Sequence, residues 1–358
     1  YSFNINGYAQ SDFAVFSKNK GRQRDAASIR AVRVMFNGAI EKNWYYKVDF
    51  DFMSAKPLKN AYVGYEGKNQ ASVTVGYFAQ SFGLENTSSN ATLTFLESSS
   101  IGALSPDAKN GVEFEAYGDN WTAALGGYAY DVNSSSNEQK YITGRLTYAP
   151  IYGNETNIHL GISGSTSFNH KNGKFGGYSE KPGTNLYNDE AYGYSKYAVT
   201  TGDIENVKGT KLVDFELAAA HNQFSVQGEY LISKVERKLV ANNKFHAGYV
   251  QAAWTLTGES RNYDASSGGF VGVMPKNPFN LDEGKWGAWE IAARYNYLDL
   301  NSRTLKKGEL ESYAFGLNWY LNRNVRFMAD YTLARTDRFA TISNNKPRIF
   351  MLRAQVSL

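Results

Sequence analysis

The stretch Pro347-Arg348-Ile349-Phe350-Met351-Leu352-Arg353-Ala354-Gln355-Val356-Ser357-Leu358 alternates with a period of two. Phe350, Leu352, Ala354, Val356 and Leu358 form one face, and Arg353, Gln355 and Ser357 the other. Successive side chains of a strand point to opposite sides, so this segment has one oily face and one wet face. The segment before it repeats the pattern: Val325, Phe327, Ala329, Tyr331 and Leu333 oppose Arg326, Asp330 and Thr332. Before that, Tyr313, Phe315, Leu317, Trp319 and Leu321 oppose Ser312, Gly316, Asn318 and Tyr320, and residues 323–324 leave room only for a tight turn.

Read outward from there, the same periodicity predicts sixteen strands. Their approximate spans are 2–16, 27–40, 42–54, 58–66, 70–81, 111–118, 120–131, 139–149, 154–166, 209–220, 222–234, 244–258, 286–299, 309–321, 323–337 and 346–358. Connections give a second regularity. Short turns such as Ile40-Glu41-Lys42, Gly118-Asp119-Asn120 and His221-Asn222 alternate with longer polar loops. Only an antiparallel up-and-down arrangement puts all turns at one end and all loops at the other.

A soluble sandwich or barrel would bury the oily face. A transmembrane barrel turns it to lipid and encloses a polar, water-filled lumen. Aromatic residues near strand ends on the oily face (Trp121, Trp289, Tyr297, Tyr313 and Trp319) suit interfacial girdles. The wet face is too charged to pack a core, because unpaired buried charge is very costly. An even strand number of this size suits a lumen wide enough for water. The expected fold is therefore all-β, a 16-stranded antiparallel transmembrane β-barrel formed by residues 1–358, with in-folded loops.

Composition narrows the chemistry. Aromatic residues make up 15% of the chain, which excludes disorder, and no run approaches the ~18 apolar residues of a membrane helix. With no cysteine there is no disulfide, thiolate metal site or thiol nucleophile. A net charge of +4 is too weak to argue for a nucleic-acid partner. The chain starts directly in a strand-like pattern with no signal peptide in view, so any such peptide is expected to have been removed already.

One connection breaks the rhythm. Parity demands a short periplasmic turn after the twelfth strand, but residues 258–285 are long, glycine-rich and contain Met274-Pro275-Lys276-Asn277-Pro278-Phe279. Having little to pack against outside, this turn is expected to fold up into the lumen. A missed strand pair is the alternative.

The residues now resemble a known family, the phosphate-selective porin O/P family of Gram-negative outer membranes. The last third carries the likeness most clearly: Ala252-Ala253-Trp254-Thr255-Leu256-Thr257-Gly258-Glu259, then Pro275-Lys276-Asn277-Pro278-Phe279, Trp286-Gly287-Ala288-Trp289-Glu290, Ala293-Arg294-Tyr295, Leu298-Asp299-Leu300 and Gly316-Leu317-Asn318-Trp319-Tyr320-Leu321. Trp44-Tyr45-Tyr46-Lys47 and Asp49-Phe50-Asp51-Phe52 are similar to its third strand, and Phe82-Gly83-Leu84-Glu85 through Ser88-Ser89 to Thr94-Phe95-Leu96-Glu97 to its third loop. The match is weak between about residues 120 and 210. The resemblance implies a homotrimeric porin in outer-membrane lipid. Its lumen would be constricted by a third loop (about 82–110), a long extracellular fifth loop (about 167–208) and the in-folded turn at 258–285. It also implies small anionic or hydrophilic solutes, phosphate included, and no cofactor or metal.

This chain departs from the family's arginine ladder. The Arg-Arg pair entering the second strand is here Arg30-Ala31, with Arg33 beyond it. The fifth loop offers Lys171, Lys174, Lys181, Lys196 and Lys208 but no arginine. Candidate pore-lining residues are Arg30, Arg33, Lys47, Ser88, Ser89, Arg294, Arg326 and Arg353; Arg33, Arg294 and Arg353 are expected to cluster. Arginine presents a charged fork suited to phosphate or carboxylate, and serine hydroxyls can replace water around a solute. An opposing acidic wall is expected from Glu113, Glu115, Asp214, Glu216 and Glu229, giving a transverse field in a low-dielectric cleft. The predicted function is a passive outer-membrane porin that prefers anions. A non-selective or cation-tolerant general diffusion pore is the first alternative; a barrel hydrolase or an adhesin is the second. The chain is not expected to be an enzyme: none of His159, His170, His221 and His246 sits in a zinc motif, and Gly161-Ile162-Ser163-Gly164 lies inside a strand pattern.

Overall fold

The computed structural model describes residues 1–20, 23–129, 139–168, 173–186 and 197–358. Sixteen strands close into one barrel: β1 Asn4–Ser17, β2 Ala26–Ile40, β3 Trp44–Asp51, β4 Leu58–Glu66, β5 Ala71–Phe78, β6 Lys109–Tyr117, β7 Trp121–Ala129, β8 Lys140–Tyr152, β9 Thr156–Phe168, β10 Val207–His221, β11 Phe224–Arg237, β12 Asn243–Thr255, β13 Ala288–Asn301, β14 Lys306–Tyr320, β15 Val325–Thr336 and β16 Arg348–Ser357. Every neighbouring pair is antiparallel. Closure is made by β1, which pairs with β2 on one side and with β16 on the other, from Tyr8 opposite Ser357 to Ser17 opposite Arg348.

The inversion is visible on β16. Leu352 and Val356 are 43% and 49% exposed, whereas Arg353 and Gln355 on the opposite face are 3% and 5% exposed. Apolar side chains thus surround the barrel outside, and polar ones are enclosed. At the short-turn rim the outward aromatics pack together: Trp289 stacks on Trp319 at 5.0 Å and Phe224 on Trp254 at 5.5 Å. Aromatic rings of this kind favour the membrane interface. Among the described residues no helix is long and apolar enough to cross a membrane.

Two features differ from the sequence reading. The fifth strand stops at Phe78 and the sixth begins at Lys109, so the intervening loop is slightly longer. Two short pairs lie outside the sixteen predicted strands: Ser179–Glu180 with Val199–Thr200, and Arg261–Asp264 with Gly269–Val273, the latter in the turn where a missed strand pair was the alternative but forming its own two-stranded sheet and not part of the barrel. The first lies in the long loop; Lys171 and Lys196, named above, lie outside the described residues, as does His170.

The apolar core lies inside the lumen rather than between layers. Leu231, Val235, Phe245, Leu298, Leu300 and Leu310 on the inner face of β11–β14 are covered by Phe82, Ile101 and Leu104 of one loop and by Tyr178, Val199 and Ile204 of another. Inward leucines would be costly against water. Here they are stable because the loops bury them.

Candidate functional site: the constricted lumen

The loop between β5 and β6 crosses the lumen, and its fastenings define the site. At its start, Gly83 N donates to Ser163 Oγ at 2.9 Å, and Leu84 N and Glu85 N donate to the two oxygens of Glu229 at 2.5 and 3.0 Å. These partners sit on β9 and β11. Gly83 has φ of 73°, a conformation that a side chain resists, and an added Cβ would lie 2.9 Å from Glu229 Oε1. Further along, the loop reaches the wall formed by β13–β16. Leu96 N donates to Asp330 Oδ2 at 2.8 Å, Asn318 donates to Thr94 O at 2.9 Å, and Arg326 donates to Leu93 O at 2.8 Å and Thr94 O at 3.2 Å. Arg294 donates to Glu97 O at 3.1 Å and lies over the Phe95 ring at 4.4 Å.

The long connection between β12 and β13 also enters the barrel, as the hairpin Arg261–Asp264/Gly269–Val273. Arg145 of β8 donates to Ser267 O at 3.2 Å and Gly268 O at 2.8 Å at its tip. Tyr263 OH shares a 2.7 Å hydrogen bond with His159 Nδ1. Arg261 pairs with Glu290 Oε2 at 2.7 Å and reaches Thr92 O of the crossing loop. Loop and hairpin are therefore bonded to each other and to the wall.

The candidate residues fall into three groups. Arg30, Arg294 and Arg353 meet at Glu97: Arg30 bonds its carboxylate at 2.8 and 3.0 Å, Arg353 at 3.1 Å, and Arg294 its carbonyl. Arg353 also grips Asp12 with two 2.7 Å bonds. The expected cluster is thus corrected, with Arg30 in place of Arg33. Its cause is a β-bulge. Gln10 faces Ala31 but Ser11 faces Ile29, so Arg30 is the extra residue and is re-aimed into the lumen despite its odd spacing from Arg33. Arg33 instead holds Asp49 at 2.8 and 2.6 Å and donates to Tyr8 OH at 3.4 Å. Lys47 Nζ lies 4.0 Å from the same carboxylate. Arg326 uses backbone carbonyls and lies 4.6 Å from the centre of the Tyr320 ring. Ser88 and Ser89 form a third group on the crossing loop. Ser88 Oγ donates to Leu84 O at 2.8 Å and Ser89 Oγ accepts from Ala91 N, so both hydroxyls serve the loop itself.

The acidic wall does not stand as an open field. Glu216 is bonded by Arg145 and by His159 Nε2 at 3.1 Å. Glu229 caps the crossing loop, and Glu113 accepts from Tyr128 OH at 2.5 Å. Asp214 is fully buried, with neither oxygen hydrogen-bonded. Only Glu115 of the five is part-exposed. Arg145 turns the charge of Glu216 into a short-range dipole, while Glu113 and Glu229 are taken up by neutral hydroxyl and backbone donors, so the wall is a set of bonded groups rather than the open acidic face expected from alternation. His159, fixed between Glu216 and Tyr263, is part of the hairpin's anchorage.

In the sequence Glu97 figured only as the end of the stretch from Phe82 to Glu97, and Asp12 and Arg261 were not singled out. Asp12 could have been found from its phase, since Tyr8, Gln10 and Asp12 share one face of β1. Nothing local marks Arg261. Among the described residues no group of three or more His, Asp or Glu could hold a metal ion.

The family model of phosphate-selective porin O and P matches residues 3–358. Porin O of Pseudomonas aeruginosa is 27% identical over 96% of this chain and 85% of its own length. Among solved structures, the outer-membrane channel DcaP of Acinetobacter baumannii superposes with a TM-score of 0.63 at 11% identity, covering 100% of this chain and 97% of that one. The trimer form of OmpT from Vibrio cholerae gives 0.62 at 12% identity, covering 100% and 99%. At these identities the structures speak for the barrel fold alone.

Proposed function

The chain belongs to the family of phosphate-selective porins O and P, outer-membrane channels rather than enzymes, and on that premise we propose that its pore passes small hydrophilic solutes with a modest preference for anions, phosphate among them. The observation that carries the reading is the sharing of Asp49. This fully buried carboxylate is the common counter-ion of Arg33 and Lys47, whose side chains remain 19% and 29% exposed. Two cations against one acid leave a net positive charge, and it faces the lumen. Arg326, held by carbonyl oxygens instead of a carboxylate, adds to the same sign. Ions in a narrow, low-dielectric passage respond to such an excess.

A second reading, a general diffusion pore of near-zero selectivity, is favoured by a specific observation: Arg30, Arg145, Arg261 and Arg353 are each neutralised by a bonded carboxylate. Reversal potential across a planar bilayer under a potassium chloride gradient separates the two. An anion channel should lose its preference in Lys47→Glu, and added phosphate should reduce its chloride current. A potential near zero that Lys47→Glu leaves unchanged would establish the general pore. Assembly as a homotrimer in outer-membrane lipid is part of the proposal; the trimer form of the Vibrio cholerae relative in fold supports it.

A further inference from the structure

A recess of about 420 Å³ opens on the inner wall of β3–β6, bounded on its far side by Ser266 and Ser267 at the hairpin tip. Its chemistry differs from that around Glu97. Aromatic rings run along the wall in edge contact: Tyr45 to Tyr62 at 6.3 Å, Tyr62 to Phe78 at 5.7 Å, and Phe78 to Tyr128 at 5.7 Å. Edge-to-face packing orients each ring by its neighbour; Phe78 and Tyr128 are buried behind the wall, and Tyr45 and Tyr62 are part-exposed on it. Tyr117 joins from the short-turn end, its hydroxyl donating to Glu66 Oε1 at 2.7 Å, and Tyr45 OH is bonded to Thr74 Oγ1 at 2.7 Å.

Three carboxylates share this space, Glu66, Glu113 and Glu115, and no lysine or arginine lines it. Glu66 and Glu113 are satisfied by Tyr117 and Tyr128. Glu115 has no hydrogen-bond or ion-pair partner among the described residues and is part-exposed. Arg145, the cation whose charge bears on it, is bonded to Glu216. Lys47, the next inward residue after Tyr45, turns to Asp49.

We propose that this recess is a binding station for small organic cations, solutes that carry an ammonium or guanidinium group on a short apolar body. Tyrosine faces attract cations through the ring quadrupole, and a carboxylate supplies a charge-assisted acceptor. Glu115 takes the cationic group, and the part-exposed Tyr45 and Tyr62 rings, backed by the buried Phe78, take the apolar body. The station is separate from the Arg33–Lys47 pair that carries the anion preference, so either reading can fail without the other.

The test is block of ion current by agmatine, added to single channels in a bilayer at low ionic strength and mildly alkaline pH. Wild-type current should fall in a saturable way. Glu115→Gln, which keeps the shape, should raise the half-blocking concentration about tenfold, and Tyr62→Leu severalfold. Phe114→Leu, on the lipid-facing side of the same strand, should change nothing. Maltotriose, uncharged and also suited to aromatic walls, should block weakly and equally in wild type and Glu115→Gln. Absence of agmatine block, equal block in Glu115→Gln, or stronger block by maltotriose than by agmatine would each overturn the proposal.

Discussion

Replacing Glu97 with glutamine should make the pore more selective for anions, and the size of the change follows from the hub geometry. Glu97 accepts from Arg30, Arg353 and Asn185, the last at 2.6 Å. Arg353 keeps its two bonds to Asp12, so it stays in place and stays compensated. Among the described residues Arg30 bonds no other carboxylate, and its side chain is 25% exposed. The substitution therefore uncovers about one positive charge at the crossing loop without removing a side chain from the wall. An ion in lumen water about 6 Å away feels about 0.7 kcal/mol from one charge. At ~0.1 M salt, with a screening length of ~10 Å, that falls to about 0.4 kcal/mol. Chloride gains this and potassium loses it, so the permeability ratio should shift toward chloride by about fourfold. Reversal potentials of wild type and variant in the same gradient give the ratio directly, and heat-modifiable gel mobility shows that the variant barrel is folded. A folded variant whose ratio is unchanged, or moves toward potassium, would refute the claim that Glu97 masks Arg30.

Three further expectations rest on separate contacts. Glu229→Gln weakens the acceptor that holds Leu84 N and Glu85 N; losing about 1–3 kcal/mol at that fastening should increase open-channel current noise, and unchanged noise would locate the loop's anchorage elsewhere. Arg261→Met leaves Glu290 buried with, among the described residues, only Asn318 and Tyr320 as partners; a loss of about 3–5 kcal/mol should lower the barrel's thermal transition and loosen the hairpin, measurable as larger conductance. Burial, with the nearby charge of Glu97, pushes the Glu180 carboxyl up to about 8, opposed by the Lys181 N–H and by Arg294. Because the folded pKa lies above the ordinary carboxylate value, the folded state loses stability from this group as pH rises toward 8. Across the same window a new negative charge appears beside Arg30 and Lys181. Anion preference should therefore fall as pH rises through about 8, and Glu180→Gln should flatten that part of the profile.

The architecture was legible because barrel strands carry their information locally. On β16 each residue's neighbour in sequence lies on the opposite face, so Leu352 and Arg353 declare outside and inside without reference to any other strand. Turn and loop parity then set the rims. The lumen was legible only in part, since its charges are paired by residues far apart in the chain: Arg353 with Asp12, Arg145 with Glu216, Arg261 with Glu290. The bulge at Arg30 shifts the phase by one residue, and strict alternation has no sign for that. Inward leucines such as Leu298 and Leu310 also obscured the pattern, because the loops that cover them come from residues 82–104 and 178–207.

The arginines that alternation assigns to the lumen act first as fasteners. Arg326 donates to Leu93 O and Thr94 O, Arg294 to Glu97 O, and Arg353 to Leu96 O, four successive holds on the backbone of a single loop. A guanidinium can serve this use because its five donors allow it to bond a carboxylate and a carbonyl together, which an ammonium does less rigidly. The same geometry limits what these residues offer a passing anion. A fork already filled by Asp12, Glu97 and a carbonyl has few donors left to replace an anion's hydration, whatever its formal charge. Under the proposed function, selectivity comes chiefly from cations whose donors are not all spent, and Lys47, at 4.0 Å from a carboxylate that Arg33 already occupies, is in that position. Loop placement then rests on Arg294, Arg326 and Arg353 and most of the ion preference on Lys47 and Arg33, so Lys47 can be substituted while the loop's fastenings are kept.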